Sequence, residues 1–159
     1  MDTTTRSLQV LSLTTSLVLS GANFGASALT LPILYTVPPS ISTPIFEKLY
    51  TRGGVALVPL GIFSASCSAI VAYSLPGQRN LWSAAALATI GQLPWTLLAM
   101  MPGIKKLNAI AASKGAQEKT DKEEVTGLLK EWAWMNVVRG GFALVGGLVG
   151  LWALIDGSK

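Results

Sequence analysis

The sequence predicts an all-α integral membrane protein, one four-helix bundle occupying residues 1–159 as a single transmembrane domain. Three observations carry this. Half of the residues (50%) are hydrophobic and only 13% are charged, about half the charged share of a soluble domain. Mean hydropathy is +0.51. Four apolar stretches, about 8–34, 53–75, 81–101 and 132–155, are each long enough to cross ~30 Å of hydrocarbon at 1.5 Å per residue.

The first stretch follows Arg6 and contains Ala26-Ser27-Ala28, which imitates a signal-peptide cleavage site. It runs on to Leu34, longer than such a peptide, so it reads as a retained span. The first loop carries Pro38, Pro39 and Pro44, and Thr43 before Pro44 predicts the start of a short interfacial helix holding Phe46, Glu47 and Tyr50. Pro76-Gly77 predicts a tight turn between the second and third spans. Beyond Pro102 the chain is polar, with Ile104, Leu107 and Ile110 at helical spacing and Gly115 as a breaker. Thr120 and Glu123 fit a capping box, so the fourth helix is expected to start near Asp121, outside the membrane.

Charge sets the expected orientation. Arg6, Arg79 and Lys159 lie on one side. Lys48, Arg52, Lys105, Lys106, Lys114, Lys119, Lys122 and Lys130 lie on the other. Basic residues collect on the cytosolic side, so the first and third loops are expected in the cytosol and both termini in the lumen, with the endoplasmic reticulum as the host membrane. The net charge of +4 therefore reads as topology, and no nucleic-acid partner is expected. Gly21 and Gly25, Gly146 and Gly150, and Ala143 and Gly147 form small-residue faces that serve helix packing inside the bundle or a homo-oligomer.

Histidine is absent and Cys67 is the single cysteine. Histidine-based metal sites, histidine bases and disulfides within the chain are thereby excluded. No nucleotide-binding glycine loop is present, so neither a metal nor a tightly held cofactor is expected. Cys67, in a run of small residues, reads as a packing residue.

Arg139 is the one full charge set well inside an apolar stretch. A charge there is costly and marks function by default; the alternative is a side chain that snorkels to the headgroups. Asn136 lies three residues before it on the same helix face, and Trp132 four before that. Gln92 and Trp95 are similarly paired on the third span beside Pro94, which removes a helix hydrogen bond. Counted from one membrane face, Asn23, Tyr50, Gln92, Trp95, Trp132, Asn136 and Arg139 reach comparable depths. They are candidates to line one pocket for a hydrophobic small molecule. Alternatively, the amides tie helices together through bonds of about 0.6–2 kcal/mol each.

Residues 123–140, from Glu123-Glu124 through Trp132 and Asn136 to Arg139-Gly140, resemble the end of the fungal anthrone oxygenase family of small four-span membrane proteins. That family has an acidic helix, a Trp, then a His or Asn, then an Arg opening the last span. Pro94-Trp95 through Met101-Pro102, Gly21-Ala22-Asn23 with Pro32, and the spacing of Tyr50, Gly54 and Pro59 fit as well. The resemblance implies cofactor-free oxygenation of a polycyclic aromatic polyketide. An acidic C–H loses its proton and the enolate passes an electron to dioxygen, with Arg139 holding the enolate oxygen. Asn136 stands where many relatives have His, and Gly103-Ile104 where many have Thr-Asn. Asn136 orients substrate; the base is then Glu131, Glu47, Tyr50 or a water. Two other readings stay open: a membrane cyclase or isomerase using a carboxylate, and a non-enzymatic membrane partner.

Overall fold

The computed structural model describes residues 2–157, so Lys159, which enters the orientation argument, lies outside the described residues. Four long helices form an up-and-down bundle, each long and apolar enough to cross a membrane. They are α1 (Thr3–Leu34), α2 (Pro39–Ser74), α3 (Pro76–Ala111) and α5 (Lys122–Asp156), with a short α4 (Lys114–Lys119) before the last. Helix α1 packs on α2 and α5, and α3 packs on the same two. At 1.5 Å per residue, the 36 residues of α2 measure ~54 Å, so the bundle stands well clear of a ~30 Å hydrocarbon layer.

The packing is that of a protein built for lipid. Val18, Leu29, Ile33, Val55, Leu87 and Leu98 point outward, whereas Ser12, Ser16, Ser64, Ser68 and Thr89 are buried. Lipid does not drive apolar faces together, so small residues and interhelical hydrogen bonds hold the helices. Ser12 Oγ donates to the carbonyl of Ser64 at 3.1 Å, and Ser64 Oγ donates back to that of Ser12 at 2.9 Å. Ser16 Oγ ties α1 to α5 at the carbonyl of Ala143, 2.6 Å away. The glycine rows divide. Gly146, Gly147 and Gly150 are each pressed against a neighbouring helix, whereas Gly21 and Gly25 have open space beside them. Cys67 is buried.

Four local expectations are corrected. The segment around Thr43 is no separate interfacial helix: α2 starts at Pro39 and runs through Pro44 without a break. Pro38 is extended and Pro39 takes the first turn, where a missing N–H costs nothing. Thr43 Oγ1 instead bonds back to the carbonyl of Pro39 at 2.8 Å. The third span does not stop at Met101 but continues helically to Ala111, and Gly115 lies inside α4, the break falling at Ser113. The last helix does begin beside Asp121, as expected. The capping box is not formed, because Thr120 Oγ1 bonds the carbonyl of Ala116 at 2.7 Å.

Two π-helical turns interrupt the long helices, at Ala26–Thr30 in α1 and Thr96–Met100 in α3. Each ends two residues before a proline, Pro32 and Pro102. A proline ring clashes with the carbonyl four residues back and gives it no N–H, and a widened turn relieves that conflict. Above these turns, Leu31, Phe46, Met100, Ile104, Leu107, Val125, Leu129 and Trp132 pack into an apolar cap.

Candidate active site

Beneath that cap the four long helices line a cavity of about 870 Å³ that is open on one side. Small-molecule sites occupy about 300–1,000 Å³, so the volume suits a polycyclic ligand. Both π turns contribute to its wall, through Ala26 and Thr30 on one side and Thr96 and Leu97 on the other. The widened backbone thus falls where the helices must make room.

Gly140 decides how α1 meets α5. A Cβ there would come within 2.9 Å of the Phe24 ring and 3.2 Å of Asn23 Cβ. Only glycine lets α1 approach this closely, and the approach brings Asn23 to Arg139. Arg139 donates to Asn23 Oδ1 twice, from Nη2 at 2.7 Å and from Nε at 3.2 Å. Asn136 Nδ2 donates to the Asn23 carbonyl at 2.7 Å and to Ser27 Oγ at 2.9 Å. Ser27 Oγ in turn donates to the carbonyl of Ala133 at 3.0 Å. Asn136 is fully buried and outside the cavity wall, so its work is to lock α1 onto α5 behind Arg139.

Arg139 faces the cavity without a counter-ion. Among the described residues no carboxylate pairs with it, and no Asp or Glu lines the wall. A cation held by a neutral amide in a low-dielectric site leaves its remaining N–H donors and its charge to a ligand. Two further buried donors lack partners at the same wall: Asn23 Nδ2 and Trp132 Nε1. Such orphaned donors are costly, and a ligand oxygen satisfies them.

The expected residues divide into two groups. Asn23, Tyr50, Gln92, Trp132 and Arg139 line the cavity together. Gln92 donates to the carbonyl of Thr89 at 2.9 Å and lies against Gly61, where a Cβ would sit 3.1 Å from its Nε2. Tyr50 stacks on Phe46 at 6.4 Å, and Phe46 meets Trp132 edge-on at 5.2 Å. Trp95 stands behind the wall, its indole donating to the carbonyl of Met135 at 3.0 Å and its ring against Phe142. Glu47 and Glu131 are exposed and outside the lining. Lys48 and Arg52, which in the sequence stand only among the orientation charges, also line the cavity, at its exposed side. Their spacing of four residues was the available signal, legible once α2 is one continuous helix. No group of three or more His, Cys, Asp or Glu side chains converges on a metal-sized point among the described residues.

The bundle thus combines a cavity of small-molecule size with a cation in its wall that no carboxylate among the described residues offsets. Comparison with known proteins gives the family. The family described as anthrone oxygenase matches residues 46–149. A protein named anthrone oxygenase from Claviceps purpurea is 29% identical over 162 residues, covering 96% of this chain and 91% of that one. Anthrone oxygenase nsrD from Aspergillus novofumigatus is 31% identical over 144 residues, 86% of each chain. A noranthrone monooxygenase from Aspergillus flavus is 28% identical over 84% of this chain and 66% of its own. No solved structure matches. The chain belongs to the anthrone oxygenase family.

Proposed function

We propose that this protein is a membrane-embedded oxygenase of fungal secondary metabolism that oxidises an anthrone-like polyketide with dioxygen and no bound cofactor. The observation that carries the reading is Arg139, a cation free of carboxylates in the wall of an apolar cavity. An anthrone has a methylene group made acidic by two aryl rings and the carbonyl across the central ring. Loss of that proton puts negative charge on the carbonyl oxygen. Arg139, held by Asn23, and the free Asn23 amide stabilise that oxygen where little water competes. The enolate is electron-rich enough to reduce dioxygen by one electron. Recombination at the former methylene carbon gives a hydroperoxide, and loss of water from it gives the quinone. One dioxygen is consumed, one oxygen atom enters the product and one leaves as water.

In this reading Tyr50 relays the departing proton; its presence in the cavity lining, which Glu47 and Glu131 do not share, supports that role. The cyclase or isomerase reading asks for a carboxylate beside the substrate, and the wall offers none. Purified protein in lipid nanodiscs, given an anthrone, is expected to consume one dioxygen per quinone formed, above the spontaneous rate. A product of unchanged mass formed without dioxygen would instead establish the isomerase.

The host membrane follows from the same reading as the endoplasmic reticulum, with the α1–α2 and α3–α5 connections in the cytosol. Lys105, Lys106, Lys114, Lys119 and Lys122 crowd the second of these. Glycosylation tags at the two termini are expected to be modified. Modification of a tag between α3 and α5 alone would reverse the orientation. The uncovered Gly21 and Gly25 row is the face on which a second copy of the chain would pack.

A further inference from the structure

The open side of the cavity runs along α2. Ile45, Lys48, Arg52 and Ala56 follow one another at helical spacing there, line the cavity and are exposed. On α1 the exposed lining residue is Ala22. Ser12 and Ser64 exchange hydrogen bonds across these two antiparallel helices. Counted equally from that pair, Ala22 is level with Gly54, between Arg52 and Ala56.

Charge and polarity divide along this face. Lys48 and Arg52 are one turn apart, and neither is in an ion pair among the described residues. Arg52 stands immediately before the apolar stretch at 53–75, and side chains lean toward the N-terminus of their helix. That end of α2 is the capped end, where Phe46 is packed. Both cations thus lean toward the membrane surface on the cap side, the direction in which long basic side chains reach lipid headgroups. Deeper in, Ala22 and Ala56 are small and apolar, and nothing lies within 4 Å of a Cβ built at Gly54 between them. The crevice therefore has two cations at its shallow end and room for hydrocarbon at its deep end.

We propose that this crevice binds one anionic phospholipid of the leaflet on the cap side. Its phosphate is held by Lys48 and Arg52, and an acyl chain runs inward past Ala22 and Ala56. Arg52 pairs with two phosphate oxygens through its planar fork, and Lys48 adds a point charge. A zwitterionic lipid carries its own cation beside the phosphate, so the two basic residues select a headgroup with net negative charge. Any other hydrocarbon fills the deep end equally well but leaves both charges unmatched. The bound chain closes the open side of the cavity with hydrocarbon and keeps water from Arg139. The site stands apart from the oxygenase reading, and binding alone tests it.

The full chain in an uncharged detergent is titrated with dioleoylphosphatidylglycerol and with dioleoylphosphatidylcholine, and bound lipids are counted by native mass spectrometry. The anionic lipid is expected to bind at least ~10-fold tighter, the scale set by two basic residues near a charged surface. In the double variant Lys48→Gln, Arg52→Gln that preference is expected to vanish. The variant Lys114→Gln, Lys119→Gln removes the same charge from exposed residues of α4 outside the lining, and is expected to keep the preference. Should the first double variant not fold, Lys48→Gln and Arg52→Gln are taken singly, and each is expected to lower the preference by ~3-fold. No preference in the wild type, one that survives in the folded double variant, or one that falls equally in the α4 variant overturns the site. Displacement of the lipid by inorganic phosphate at equal concentration also overturns it, because a free anion would then be the ligand.

Discussion

Arg139→Met is expected to lower anthrone turnover by at least ~10²-fold, the loss that follows removal of one oxyanion donor. The guanidinium is always protonated, so it cannot be the base, and its contribution is charge and geometry. Nη2 and Nε both clasp Asn23 Oδ1, which fixes the plane of the group and directs its other donors. Arg139→Lys keeps the charge but loses the fork. A single ammonium cannot hold Asn23 and a substrate oxygen with the same alignment, so its turnover is expected between those of Met and wild type. The Met variant also strips Asn23 Oδ1 of its partner, so loss of fold would imitate loss of catalysis. Thermal unfolding in detergent separates the two. A Met variant that melts like wild type and turns over at the wild-type rate would remove Arg139 from the chemistry and make it an anchor for α1.

The fold was legible because lipid leaves few alternatives. Four apolar stretches must be helices, since the backbone has no water to bond, and their ends were marked within a few residues by Pro76-Gly77 and Asp121. What stayed hidden was helical length outside the membrane. There Pro44 and Pro102 look like stops in sequence, but both are absorbed into continuous helix. Local propensity lost to packing: Phe46, Ile104 and Leu107 pack into one cap and keep their helices intact.

The site was legible in depth but less so in direction. Counting residues inward placed Asn23, Gln92 and Arg139 at one level, and they do share a wall. Counting did not separate wall from support, because a helix face is broad and a few degrees decide which residue sees the cavity. Asn136 and Trp95 turn their donors to backbone carbonyls across helix contacts, at Asn23 and Met135. The π turns were equally hidden, although each announces itself by a proline two residues beyond. They rotate the following residues relative to an ideal helix, and spacing arguments carried across them lose register.

Gly140→Val is the substitution in which fold and site fail together. The new side chain meets Phe24 at 2.9 Å and Asn23 Cβ at 3.2 Å. The Phe24 ring is partly exposed and can swing aside, but Asn23 Cβ is fixed to the backbone, so α1 has to withdraw. Overpacking of this kind costs about 1–3 kcal/mol. Withdrawal also carries Asn23 Oδ1 away from Arg139 and leaves the guanidinium free to reorient. A displacement of ~1 Å at a reacting group is enough for a ~10²-fold loss, so turnover is expected to fall by ~10-fold or more even in the fraction that stays folded. Gly140→Ala, which brings only the first of these carbons, is expected to show a smaller form of both effects. Gly141 supplies the control one residue away, because nothing lies within 4 Å of a Cβ built there. Gly141→Val changes the same helix by the same chemistry and is expected to alter neither melting temperature nor turnover appreciably. Melting curves and dioxygen uptake measured on the three variants decide the matter. If Gly140→Val matched Gly141→Val in both, close approach of α1 to α5 would not be what holds Asn23 against Arg139.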